Sequence, residues 1–245
     1  MIFVYLDLLR IDALAAVVLF GAIASALVAG ISFHEFSHAY VADRLGDRLP
    51  RSLGRVTLNP LAHLDPAGTI LLFLVGFGWG KPVMVNPGAT RNPKATMAIV
   101  AGAGPVSNFF VAAVAGLPLN FGWVPWLPPF NVGVINSLIR GGWGVDEYAG
   151  LYLSAIVLVS IILGVFNLLP IFPLDGHRVV PALLDDRSAI SYMQFQARYG
   201  LIILIVLIAL PFLTGGDFGI LFEVMSPIIN TLARLFAGIE GDAFG

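Results

Sequence analysis

Residues 13–33 hold no charged side chain, and the run passes without a break into His34-Glu35-Phe36-Ser37-His38. A helix needs about 20 apolar residues to cross the hydrocarbon core of a bilayer. This stretch is therefore long enough to span, and it delivers three ionisable side chains at its far end. Such groups at membrane depth cost about 2.5–3.5 kcal/mol each on insertion scales, and where they persist they usually mark function. The plainer alternative is a polar helix end with His34, Glu35 and His38 merely solvated. The position of the motif speaks against it, because the next basic residue, Arg44, comes only after the motif is complete.

Composition points the same way. Of 245 residues, 58% are hydrophobic and 11% are charged, whereas soluble domains carry about a quarter charged residues. The formal net charge of -2 leaves no broad basic face for nucleic acid. Cysteine is absent, which excludes disulfides and thiolate metal sites. A transition metal would have to be held by Asp, Glu or the four histidines, His34, His38, His63 and His177. The small residues Ala22-Ile23-Ala24-Ser25-Ala26 resemble a signal-peptidase site, but Asp7 and Asp12 flank Arg10 and no positively charged leader exists. The expectation is a retained membrane helix.

Apolar segments recur at about 11–33, 67–79, 95–119, 148–172, 199–213 and 218–238. They predict an all-α polytopic membrane protein with a bundle of about four to six transmembrane helices. The whole of 1–245 reads as a single domain, with a core over about 11–180 and C-terminal helices in 181–245. The segment 199–213 reaches spanning length only if residues 196–200 count as its interfacial turn. The segment 218–238 contains Glu223, Pro227, Asn230 and Arg234, so it reads either as a poor span or as an interfacial amphipathic helix.

The second segment is too short to span and lies between Pro66 and Pro82. The following Lys81-Pro-Val-Met-Val-Asn-Pro87 reads as extended, since its prolines deny it helical hydrogen bonds. Non-helical backbone at membrane depth survives only where protein or water covers it. Residues 67–90 are therefore predicted to form a re-entrant element, a short helix in and an extended strand out.

Charge placement predicts the orientation. Loops 39–94 and 176–198 hold ten of the thirteen basic residues, whereas 120–147 holds Arg140 and the anchor residues Trp123, Trp126 and Trp143. By the positive-inside rule the first two loops face the cytoplasm.

On a helix, residues four apart share a face, so His34 and His38 can reach one metal ion. Glu35 stands beside them, placed to take a proton from a water at the metal. A catalytic zinc usually has three protein ligands and one open position. The candidate third ligand is Asp175, in Asn167-Leu-Leu-Pro170-Ile-Phe-Pro173-Leu-Asp175-Gly176. The competing reading is an interfacial Asp in a helix-ending turn. If 95–119 runs out and 148–172 returns, Asp175 comes back to the side of His38, provided that 67–90 does not span.

With both motifs in view, the chain resembles the site-2 protease family of intramembrane zinc metalloproteases, in its short form without a PDZ insert. The match rests on the H-E-x-x-H helix, Gly80-Lys-Pro-Val-Met-Val-Asn-Pro87, Gly104-Pro-Val-Ser-Asn108 and the N-x-x-P-x-x-P-L-D-G run. The resemblance implies one Zn2+ per chain on His34, His38 and Asp175, with Glu35 as general base. It implies a multi-pass protein of a prokaryotic cell (inner) membrane, with its site towards the cytoplasm. It also implies transmembrane protein substrates, whose unwound segments could pair with the edge at Val83 and Val85. A regulatory membrane partner or a homo-oligomer stays open.

Asn108 reads equally as a polar contact to substrate and as a helix–helix hydrogen bond. Asn167 reads as a substrate contact or a local backbone cap. His63 is expected in an interfacial loop and His177 is expected to point away from the site. Arg178 either snorkels to headgroups or steadies Asp175. Two rival functions remain, a membrane metal-ion transporter and a catalytically silent membrane binding protein. Polar groups clustered on one side argue against the first, and the presence of Glu35 against the second.

Overall fold

A computed structural model describes residues 10–75, 80–214 and 219–244. Helix α1 (Ala13–Arg44) begins at Asp12, whose carboxylate accepts from Ala15 N at 2.9 Å, supplying a partner for an orphan amide of the first turn. Helix α2 (Pro66–Val75) follows a loop. Helix α3 (Pro93–Asn120) is capped by Asn92, which accepts from Ala95 N at 3.2 Å. Pro93 takes the first helical position, where its missing N–H is harmless. Helix α4 (Val132–Arg140) is short, and α5 (Val145–Asn167) opens with Asp146 and Glu147 in its first turn, where acidic groups suit the helix dipole.

Helices α1, α3 and α5 form the centre of the bundle. Ala15, Leu19, Ala22, Ile23 and Ala26 of α1 bury against Leu151, Ala155 and Val159 of α5. The opposite face of α5, with Val157, Leu158, Ile161 and Val165, packs on Ala112 and Leu119 of α3 and on helix α8 (Ile220–Ala237). Lipid offers little hydrophobic drive for helices to associate, so contact depends on close packing of small residues. Gly164 of α5 accordingly sits on the ring of Phe109, where an added Cβ would lie 2.5 Å from Cε1.

Beyond α5, helix α6 (Asp186–Phe195) continues through a π turn (Gln196–Gly200) into α7 (Leu201–Leu213). The sequence reading treated 176–198 as a loop, but the helix begins at Asp186. Asp185 starts it by accepting from Arg187 N and Ser188 N, each at 3.0 Å. The polar 186–195 stretch hid this start from an apolarity argument. On α7, Leu204 is buried, whereas Leu201, Ile202, Ile205 and Val206 are exposed, as on a helix that faces lipid.

Among the described residues, five helical stretches are long and apolar enough to cross a membrane: Ala13–Arg44, Pro93–Asn120, Val145–Asn167, Asp186–Pro211 and Ile220–Ala237. The chain is thus an all-α polytopic membrane protein. Helix α2 has ten residues, about 15 Å at 1.5 Å per residue, which is half a hydrocarbon core. Of the predicted re-entrant element, residues 76–79 lie outside the described residues, 81–86 form no helix or strand, and Pro87–Ala89 is a 3-10 turn rather than part of a strand. Among the described residues this segment joins no β-ladder, apart from an isolated bridge between Leu64 and Gly80.

Candidate metal centre

Three side chains from distant parts of the chain converge near one end of the central helices. His34 Nε2 and His38 Nε2 lie 3.0 Å apart. Asp175 Oδ2 is 2.9 Å from the first and 3.1 Å from the second. The rings meet edge to face at 85°, as expected for side chains one turn apart on α1. Both imidazoles are buried.

Asp175 reaches them because α5 stops at Asn167 and the chain turns back through 168–174. Gln196 holds that turn. Its Oε1 accepts from Phe172 N and its Nε2 donates to Pro170 O, each at 2.9 Å, and Tyr192 Oη donates to the same carbonyl at 2.9 Å. Gly176 is pressed against the carbonyls of Leu168 and Leu169, leaving no room for a Cβ. The proline-rich sequence thus has its unpaired backbone groups answered from α6 and the π turn.

Partners behind the rings set their tautomers. His38 Nδ1 donates to Val100 O at 2.7 Å, so its Nε2 presents a lone pair towards Asp175 and His34. His34 Nδ1 lies 3.1 Å from the amide nitrogen of Asn108, while Asn108 Oδ1 is buried with no partner among the described residues. The two ends of an amide are nearly isosteric. Turned by half a rotation, Asn108 would accept from His34 Nδ1–H through that orphaned oxygen, and His34 Nε2 would present its lone pair as well. Gly104 supplies the space, because a Cβ there would come 2.5 Å from His38 Nε2 and 2.6 Å from His34 Nε2. The three ligand atoms lie within 4.8 Å of one another. Two neutral imidazoles and one carboxylate, with room left for a fourth group, fit a catalytic zinc ion.

Glu35 lines the same cavity of about 360 Å³, with Val83, Val85, Asn167 and Arg178. Its Oε2 is buried, hydrogen-bonded to none of the described residues, and 3.9 Å from Arg55 Nη2. Asn108 is fully buried beside His34, and Asn167 donates from Nδ2 to Leu163 O at 2.9 Å. Val83 is buried and Met84 exposed. Two histidines stay out of the cluster. His63 is fully buried, donating from Nε2 to Thr57 O at 2.6 Å. His177 donates from Nδ1 to Leu174 O and sets its ring edge against Phe172; burial holds its pKa below the ordinary histidine value.

Sequence reasoning missed Asp47, Arg55, Gly104 as a space-maker, and Gln196. Arg55 entered only as one of ten loop charges, although it is 5% exposed. An arginine between two apolar-flanked loops carries no periodic signal, so only its burial reveals it.

Helices that bring an H-E-x-x-H pair to a distant carboxylate fit the metal centre of a metallopeptidase. The chain belongs to peptidase family M50, the site-2 protease family, whose model matches residues 22–211. It is 32% identical to "Putative zinc metalloprotease YwhC" of Bacillus subtilis, over 87% of this chain and 90% of that protein. It is 29% identical to Rip2 of Mycolicibacterium smegmatis, described in the same words, over 78% of this chain and 68% of the relative. With Rip3 of Mycobacterium tuberculosis it shares 30% identity over 79% of this chain but only 40% of that longer protein. No solved structure matches the chain.

Proposed function

We propose that the protein is a zinc-dependent intramembrane endopeptidase that hydrolyses peptide bonds of membrane-spanning proteins near the cytoplasmic face of the bilayer. The observation that carries this reading is the convergence of His34 and His38, on the apolar helix that also carries Glu35, with Asp175 in the turn that follows another apolar helix. His34, His38 and Asp175 would hold one zinc ion per chain. Bound there, zinc supplies Lewis acidity, which lowers the pKa of water and polarises a carbonyl.

The rest falls to the chain's own groups. Glu35 accepts the proton of the attacking water at Oε2, the oxygen that has no hydrogen-bond partner among the described residues, and passes it to the leaving amine. Val100 O and Asn108 fix the two imidazoles. Asn167, bonded back to Leu163 O, shapes the cavity wall and leaves its own oxygen to meet substrate. A substrate helix hides its peptide bonds in its own hydrogen-bond ladder, so it must unwind locally. The main chain at Val83 and Val85 offers an edge with which the unwound segment pairs. The basic loops favour a site turned to the cytoplasm, and the bacterial relatives favour a prokaryotic inner membrane.

The test is cleavage of single-span membrane proteins by purified protein in liposomes, with zinc measured in parallel. Wild type should cut, and Glu35→Gln should keep its zinc without cutting. A wild-type protein that binds no zinc would sink the proposal.

A further inference from the structure

The segment 80–86, which lies between helix α2 and helix α3 and forms no helix or strand, is fastened at both ends. At its entry Lys81 N donates to His63 O at 2.7 Å, and the Arg55 guanidinium donates through Nη1 to Ala62 O and through Nη2 to Lys81 O. At its exit Asn86 N donates to Asp47 Oδ2 at 2.6 Å, while Asp47 Oδ1 accepts from Leu49 N at 3.0 Å. Both fasteners are charged side chains taken out of solvent, Arg55 at 5% exposure and Asp47 at 1%. A buried charge needs partners, and each of these two takes one from the backbone of this segment, Arg55 at Lys81 O and Asp47 at Asn86 N.

Between the fasteners the main chain of Val83 and Val85 has no hydrogen-bond partner among the described residues. Val83 faces inward and Met84 outward, the alternation of a strand. The guanidinium that grips the entry also faces Glu35, 3.9 Å from Oε2.

We infer that Asp47 and Arg55 are positioning residues that hold 82–85 as a preset edge for an unwound substrate segment, in fixed register with Glu35. The inference rests on the proteolytic reading of the site given above. A slack edge would lose backbone freedom each time substrate bound. A slip of one residue would exchange the side chains facing in and out. Two fasteners remove both problems, and Arg55 adds a tie between the edge and the base.

The experiment uses the full chain in vesicles of phosphatidylethanolamine and phosphatidylglycerol. With no native cysteine, Met84→Cys provides a single attachment point for a nitroxide whose mobility reports on the edge. Asp47→Ala and Arg55→Met should each raise that mobility while zinc content stays at the wild-type level. On a single-span substrate that wild type cuts, without the label, Asp47→Ala should raise KM about tenfold or more with kcat little changed. Arg55→Met should raise KM and also lower kcat, because it removes the charge facing Glu35. Arg55→Lys and Asp47→Asn should restore part of each loss, and they decide the matter by the same readouts if the truncations fail to fold.

Unchanged mobility in both variants overturns the inference whatever the activity. Raised mobility with unchanged KM overturns the docking role. A wild type that cuts nothing counts against the proteolytic reading, and the label's mobility then still decides whether these residues hold the edge.

Discussion

Gly104 of α3 and His38 of α1 approach so closely that a single added methyl would come 2.5 Å from the imidazole Nε2. The same methyl would come 2.6 Å from His34 Nε2. A helix crossing behind two ligands thus sets how much space a metal ion has, and the glycine is a requirement of the site rather than of the helix.

Gly104→Ala is expected to leave the bundle folded and to weaken zinc binding at least about tenfold, an effect as large as that of losing a ligand's outer partner. Competition with a chelating dye measures it. Wild-type affinity in the variant would show that α3 can move aside.

Asn108→Ala removes the amide beside His34 Nδ1. Ligand-orienting partners commonly contribute about 10–100-fold in metal affinity or activity, so zinc retention should fall within that range. Asn108→Asp, which still accepts from Nδ1–H, should retain more zinc than the alanine variant. Equal retention in both would argue for a substrate contact instead.

Glu35→Gln should bind zinc as wild type does and lose about 10²–10⁴ in turnover, the usual weight of a general base. Single-turnover cleavage with zinc-loaded protein separates this loss from metal loss.

Gln196→Ala strips partners from Phe172 N and weakens the hold on Pro170 O. An unmade buried hydrogen bond costs about 1–3 kcal/mol, and here the loss falls on the turn that carries Asp175. Zinc should dissociate faster, whereas Gln196→Glu, which retains the acceptor for Phe172 N, should show a smaller change. Identical dissociation rates in wild type and alanine variant would detach α6 from the site.

Much of this arrangement was legible before any coordinates. The uncharged run into His34, the four-residue spacing to His38 and the proline-rich approach to Asp175 each carry a local chemical signal. Asp175 could be paired with the histidines by counting crossings, because α2 is too short to span. What stayed hidden depends on contact between elements. Gly104 resembles any small residue of a membrane helix until His34 and His38 are seen behind it. Gln196 directly follows the polar stretch that hid the true start of α6, and Asp47 and Arg55 look like ordinary loop charges in a one-dimensional count.

Helix α1 has one more consequence. Its 32 residues extend about 48 Å at 1.5 Å per residue, and His34 stands about 32 Å from Ala13 along that axis. A typical hydrocarbon core is about 30 Å thick. In the orientation proposed above, with Ala13 placed at the outer boundary, α1 would work as a depth gauge, and its graduation at His34 would fall at the inner boundary of the bilayer rather than its midplane. On the proteolytic reading proposed above, bonds within reach would lie at the inner end of a substrate's span. Reconstitution into bilayers of longer acyl chains should move the cut along the substrate, as a fixed blade meets a sliding thread.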